Sequence, residues 1–85
     1  MQKYKVQLKK DVVTENTTFN DSIYSGWRAI NTGNTTASVM GITLAPGEML
    51  DFYDLSPEAV WGTPIQILPN SGEVTLMRLQ YFEQK

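Results

Sequence analysis

Residues 38–48 read SVMGITLAPGE, an apolar run broken by one glycine and closed by a Pro-Gly pair. Two readings compete: a glycine loop that holds a ligand, or strand chemistry with a tight corner. Met40, Ile42 and Leu44 share one parity and Val39, Gly41 and Thr43 the other, the two-residue period of a strand. A glycine inside such a strand predicts a bulge or a close approach by another backbone. In Ala45-Pro46-Gly47-Glu48, proline presets φ at the second position and glycine takes positive φ at the third, the signature of a type II turn. No GxGxxG spacing, P-loop lysine or long following helix accompanies these glycines, so the stretch is no phosphate cradle of the usual kind.

Outward from this stretch the chain reads as strands and corners. Upstream, IYSGWRAIN (23–31) has apolar residues of both parities, as in a central strand or one whose second face meets another chain. NTGNTT (31–36) predicts a hairpin turn that would make residues 25–31 and 35–44 antiparallel neighbours. Near the start, KYKVQLK (3–9) sets Tyr4, Val6 and Leu8 against Lys3, Lys5, Gln7 and Lys9. That pattern predicts an edge strand with one buried face and a charged outer one. TENTTFNDS (14–22) reads as a loop or a short irregular strand around Phe19.

Downstream, EMLDFYD (48–54) predicts a strand leaving the corner. Ser56, Pro57 and Glu58 have the order of a helix start, which predicts one short helical turn near 56–61. Trp61 is expected to plug one end of the core. PIQIL (64–68) alternates, and EVTLMRLQYF (73–82) is the longest strand candidate. Its apolar parity shifts from Val74 and Leu76 to Met77, Leu79 and Tyr81, which predicts a bulge or contact on both faces. Short strands separated by turn signals predict an all-β chain, a small antiparallel β-sandwich of jelly-roll or Ig-like type with about six to eight short strands.

The chain has 85 residues, room for one hydrophobic core, so 1–85 is expected to be a single domain. At this size oligomerisation is an expected source of added stability. It contains neither cysteine nor histidine. Thiolate ligands, disulfides, Ser-His and Cys-His nucleophile pairs and the usual neutral-pH base are therefore all missing, which argues against an enzyme; no cofactor is implied. A net charge of −2 predicts no nucleic-acid partner. No apolar run approaches the length of a membrane span and no secretory h-region is visible, so neither a membrane partner nor export is expected. The Asn-x-Ser/Thr matches at Asn16, Asn20 and Asn34 then read as turn chemistry.

Charge is unevenly placed. Lys3, Lys5, Lys9 and Lys10 occupy a segment without acids, whereas Glu48, Asp51, Asp54 and Glu58 occupy one without bases. These are either solvated faces of separate elements or complementary surfaces through which one subunit meets a neighbour. The aromatics Tyr24, Trp27, Tyr53, Trp61 and Tyr81 fit a core, a subunit interface or a sugar-stacking platform. As an interface, the expected residues are the four lysines and four acids with Trp27 and Tyr81. As a platform, the chain would be a small carbohydrate-binding module.

The order RAINTGNTTASVMGITLAPGE, residues 28–48, resembles a pattern of small β-sandwich virion proteins of tailed bacteriophages. In these a strand ends in N-x-G, a second strand carries an internal glycine, and L-x-P-G-E turns the chain into a third. The resemblance implies a structural protein, capsid-associated as a decoration component or tail- or neck-associated. It implies assembly into homo-oligomers, a trimer or larger, with other virion proteins as partners, after synthesis in a host cytoplasm. It carries no functional residues across.

Overall fold

A computed structural model describes residues 3–84; residues 1, 2 and 85 of the expected single domain lie outside them. The strands are β1 (Lys3–Val13), β2 (Thr17–Phe19), β3 (Gly26–Asn31), β4 (Ala37–Val39), β5 (Ile42–Leu44), β6 (Met49–Asp51), β7 (Ile65–Leu68) and β8 (Val74–Gln84). They form two antiparallel sheets, ordered β1-β8-β3-β6 and β2-β7-β4-β5.

The pairings β1 with β8, β2 with β7, β3 with β6 and β4 with β5 are those of one long hairpin. Rolling that hairpin up adds β3 beside β8 and β4 beside β7. This is the strand order of a jelly roll, which decides between the two sandwich types left open by the sequence.

The tip of the long hairpin lies in the stretch quoted first. SVMGITL is not one bent strand but two, β4 and β5, joined by Met40 and Gly41 at φ 52° and 79°. Val39 faces Ile42 across this two-residue loop. Both central residues are left-handed, as a type I′ turn requires, and the strand twist favours that turn over its mirror image. Gly41 therefore marks neither a bulge nor a close approach, since a Cβ there would meet nothing within 4 Å. Met40 accepts the left-handed backbone because its side chain packs against the core. The type II corner is as read: Gly47 has φ 86° and the Glu48 N–H donates to the Ala45 carbonyl at 2.9 Å.

Residues 32–36 do not turn β3 back on β4; they carry the chain from the first sheet to the second. The reason is Asn31, almost fully buried. Its Nδ2 donates to the carbonyls of Thr35 and Leu44 at 2.8 and 2.9 Å, and its Oδ1 accepts from the Gly33 N–H at 3.0 Å. A side chain with its hydrogen bonds so completely made fixes the crossing where a hairpin would have left it in water. Here glycine does mark a close approach: a Cβ on Gly33 would lie 2.5 Å from the Glu73 nitrogen.

The core between the sheets is built from Val13, Trp27, Ala29, Val74 and Leu76 on one side and Ala37, Val39, Leu44, Ile65 and Ile67 on the other. Phe52 and Trp61 close one end against Trp27, at ring separations of 5.0 and 5.3 Å, so Trp61 is the plug expected. The expected helical turn over 56–61 is a β-turn instead, with the Ala59 N–H donating to the Ser56 carbonyl at 3.0 Å. Ser56 Oγ still accepts from the Glu58 N–H, but the chain does not continue into a second turn.

β1 and β8 pair residue for residue from Lys3–Gln84 to Val13–Val74, with no bulge. Only part of this ribbon is covered by the second sheet. The remainder projects, drawing the molecule out to 45 Å along one axis against 20 and 17 Å along the others.

Candidate functional site

Register determines which side chains share the outer face of the β1-β8-β3-β6 sheet, because directly opposed residues point the same way. From the projecting end inward, successive rows are Tyr4 with Glu83, Val6 with Tyr81, and Leu8 with Leu79 and Gly26. Next come Lys10 with Met77, Arg28 and Asp51, and finally Val12 with Thr75, Ile30 and Met49. Val6, Leu8, Val12 and Met49 are each half or more exposed. This apolar strip on a solvent face, crossed by the charged row of Lys10, Arg28 and Asp51, is the candidate site, as patches of this kind mark interaction surfaces.

The strip follows from a reversal in β1. Its apolar parity was expected to be buried, but the parity that faces the second sheet is that of Asp11 and Val13, which also holds Lys3, Lys5 and Lys9. Tyr4, Val6 and Leu8 consequently point outward. In β8 the same geometry explains the shift of apolar parity without a bulge. Val74, Leu76 and Arg78 serve the core, while Met77, Leu79 and Tyr81 serve the outer face.

The predicted interface lysines and aromatics divide into three groups. Lys10 and Tyr81 lie within the strip, with Tyr81 edge-on to Tyr4 at 6.2 Å. Lys3, Lys5 and Lys9 lie on the opposite face of the projecting ribbon, all exposed. Trp27 is the correction: it has no exposed surface, sits at the centre of the core and cannot touch a partner.

The acids do not form one patch. Glu48 sits in the type II corner and accepts from the Ala45 N–H at 2.7 Å. Asp51 is in the outer-face row with Arg28, at 2.7 Å. Glu58 reaches the ribbon tip, where it accepts from the Tyr4 hydroxyl at 2.7 Å. Asp54 is exposed in the connection after β6.

Electrostatics at two of these contacts is well defined. The Arg28 guanidinium and the Tyr53 N–H hold the Asp51 carboxyl below the usual carboxylate range, and Arg28 also lies 4.4 Å from the centre of the Tyr53 ring. The Ser56 and Tyr4 hydroxyls hold Glu58 below it as well, and the Glu58 bond in turn raises the Tyr4 phenol.

Arg78 forms a cluster that the sequence reading missed. The side chain is 3% exposed, yet it reaches Asp11 at 2.8 Å and Asp21 at 3.2 Å. Its guanidinium lies over Tyr24 and Phe19, 4.2 and 4.8 Å from the ring centres. It marks where the covered part of the ribbon ends. Asp11 comes from β1, and Phe19, Asp21 and Tyr24 from the stretch 19–24, both far from Arg78 along the chain, so no spacing in the sequence could have shown the cluster.

The sugar-stacking platform is not assembled. Trp27 and Tyr24 are buried, and Trp61 meets Trp27 edge-on at 80°. A shallow cavity of about 380 Å³ lies on the other sheet, lined by Asn16, Thr36, Ser38, Thr43 and Asn70 with no aromatic ring. Among the described residues no group of three or more acids is placed to hold a metal ion. Comparison with protein-family models, with curated proteins and with solved structures gave no match, so the reading of the outer face rests on its own chemistry.

Proposed function

We propose that this protein is a non-enzymatic structural component, a bacteriophage virion protein of the capsid or tail, that works by binding copies of itself and other virion proteins. The observation that carries this reading is the exposed apolar strip on the outer face of the first sheet, continued onto a projecting ribbon. Leaving it in water forgoes roughly 25 cal/mol for each Å² of apolar surface, a deficit that association recovers. The resemblance over residues 28–48 and the absence of cysteine and histidine support the same conclusion. Viral capsid and lectin domains share the jelly roll, and the exposed apolar strip supports the first reading over the second.

The test is the copy number of the chain in purified phage particles, measured by quantitative mass spectrometry. A fixed ratio to the major capsid or tail protein is expected. Recovery of the chain solely in the particle-free fraction of a producing culture would overturn the reading.

A further inference from the structure

β1 closes one side of the first sheet, bonded to β8 along its length with no strand on its other side. Its 11 residues compare with 3 in each of β2, β5 and β6, the other edge strands. Neither proline nor bulge, two of the usual ways to blunt an edge, interrupts it. The outward N–H and C=O groups from Lys5 to Val13 therefore form an unpaired row that bonds to no described residue.

Charge on this strand is unbalanced. The ammonium groups of Lys3, Lys5, Lys9 and Lys10 make no ion pair and no hydrogen bond with the described residues. Every described carboxylate except those of Glu15 and Asp54 is engaged within the chain. Lys3, Lys5 and Lys9 share one side of the strand, about 7 and 13 Å apart in turn, and no acid lies on that side before Asp11, which is held by Arg78. Tyr4, Val6 and Leu8 share the other side.

We infer that the open edge of β1 takes up an extended segment of another protein, one in which acidic residues alternate with apolar ones, as an added strand of the first sheet. Backbone bonds along the edge supply affinity, and the alternating side chains supply the choice of segment. On one side the acids of the segment stand opposite Lys3, Lys5 and Lys9, about 4.5–5.5 Å away at Cβ. On the other, its apolar residues stand opposite Val6 and Leu8 and widen the exposed strip by one strand. A lysine-lined edge turns away basic and neutral strands. The same charges favour an acidic one, so repulsion and attraction together define the partner.

A second copy does not meet this pattern. Glu15 and Asp54 lie in separate connections, so the described chain offers no series of free acids at alternate positions. Two β1 strands paired antiparallel would set lysine opposite or diagonal to lysine in every register that keeps most of the strand paired. The occupant is therefore a different chain. This inference deepens the assembly reading and rests on it only for the premise that the protein works through protein contacts.

Fluorescence anisotropy and amide hydrogen exchange test it on the full chain with a labelled synthetic peptide, Glu-Val-Thr-Val-Glu-Val-Glu. Run antiparallel, this peptide sets its acids opposite Lys9, Lys5 and Lys3. Saturable binding at low ionic strength is expected, weakened by salt, with slowed exchange in β1 and none in the β4–β7 pairing. The same peptide with lysine in place of glutamate should not bind. A double variant, Lys5→Glu with Lys9→Glu, shown by a thermal melt to fold, should bind the acidic peptide at least about fivefold more weakly. It should also gain binding of the lysine peptide.

The inference is overturned by no binding of the acidic peptide at millimolar concentration, by equal binding of the two peptides, or by binding that leaves exchange in β1 unchanged. Tighter binding of oligothymidylate would overturn it in favour of a nucleic acid, and a wild-type dimer with β1 amides already protected in favour of a second copy. No peptide binding by a protein that is a fixed component of particles would overturn the strand addition and leave the structural role standing. Peptide binding by a protein missing from particles would do the reverse.

Discussion

At the covered end of the first sheet, Trp27, Ala29, Val74 and Leu76 face the second sheet and are fully buried. At the projecting end the same parity carries Lys3, Lys5, Lys9 and Phe82, all exposed, and Tyr4, Val6 and Leu8 lie on the opposite face. Both ends are continuous antiparallel β-structure with the same alternation. What differs is whether a second layer lies opposite. The covered end stabilises the fold; the projecting end keeps its apolar surface available for contacts outside the chain.

The sharpest way to break this comparison is to cut one large side chain from each end. Trp27→Ala is expected to cost about 3–5 kcal/mol, through lost burial and a cavity beside Phe52 and Trp61. Leu8→Ala should change monomer stability by no more than about 0.5 kcal/mol, because the site is already in water. Denaturant titration of both variants measures the contrast, and equal losses would erase it.

Asn31→Ala comes next, at about 2–3 kcal/mol. It leaves two carbonyls and the Gly33 N–H without their partner at the crossing between sheets. Its cost should appear as a lower denaturation midpoint with an unchanged slope.

Arg78→Met probes the border between the two regions. Losing two carboxylate contacts and two ring faces while keeping volume should cost about 1–2 kcal/mol. Amide hydrogen exchange should then quicken around Lys9 to Asp11, with the β4–β7 pairing unaffected.

At the smaller end, Asn70 and Ser71 both have positive φ, 55° and 64°. Ser71→Gly should therefore raise stability by about 0.5 kcal/mol, which a thermal melt can resolve.

The smallest effect is that of acid on the ribbon tip and the Asp51 pair. Asp51 and Glu58 are held below the ordinary carboxylate range, so their contribution is present above the unfolded carboxylate pKa. It is lost as pH falls through their lowered folded values. Both are solvent-exposed, so salt should reduce the effect. Asp51→Asn with Glu58→Gln should flatten the acid side of the melting-temperature profile, and an unchanged profile would remove these pairs from the account.

Much of the fold was legible because its signals are local. The type II corner needs only Pro46 before Gly47, and Phe19 sits in a three-residue strand within the stretch where a loop or short irregular strand was read. The Met40–Gly41 tip was not legible as a turn, since methionine in a left-handed position is explained only by the core it packs against. The site was half legible. Lys10 and Tyr81 fall on the outer strip, whereas Trp27 belongs to the core. Arg78 acquires its role from partners distant in sequence, and Asn31 from its burial at the crossing between the sheets.

The sequence by itself determined that this chain is all strands and corners around one core, because alternation and turn residues act over a few positions. Only the tertiary structure decided which parity of each strand is buried. An alternating strand has two faces that local chemistry does not rank. The position of the second sheet, set by rolling the long hairpin and by the Asn31 crossing, ranks them at the covered end and leaves the apolar face of the ribbon in water.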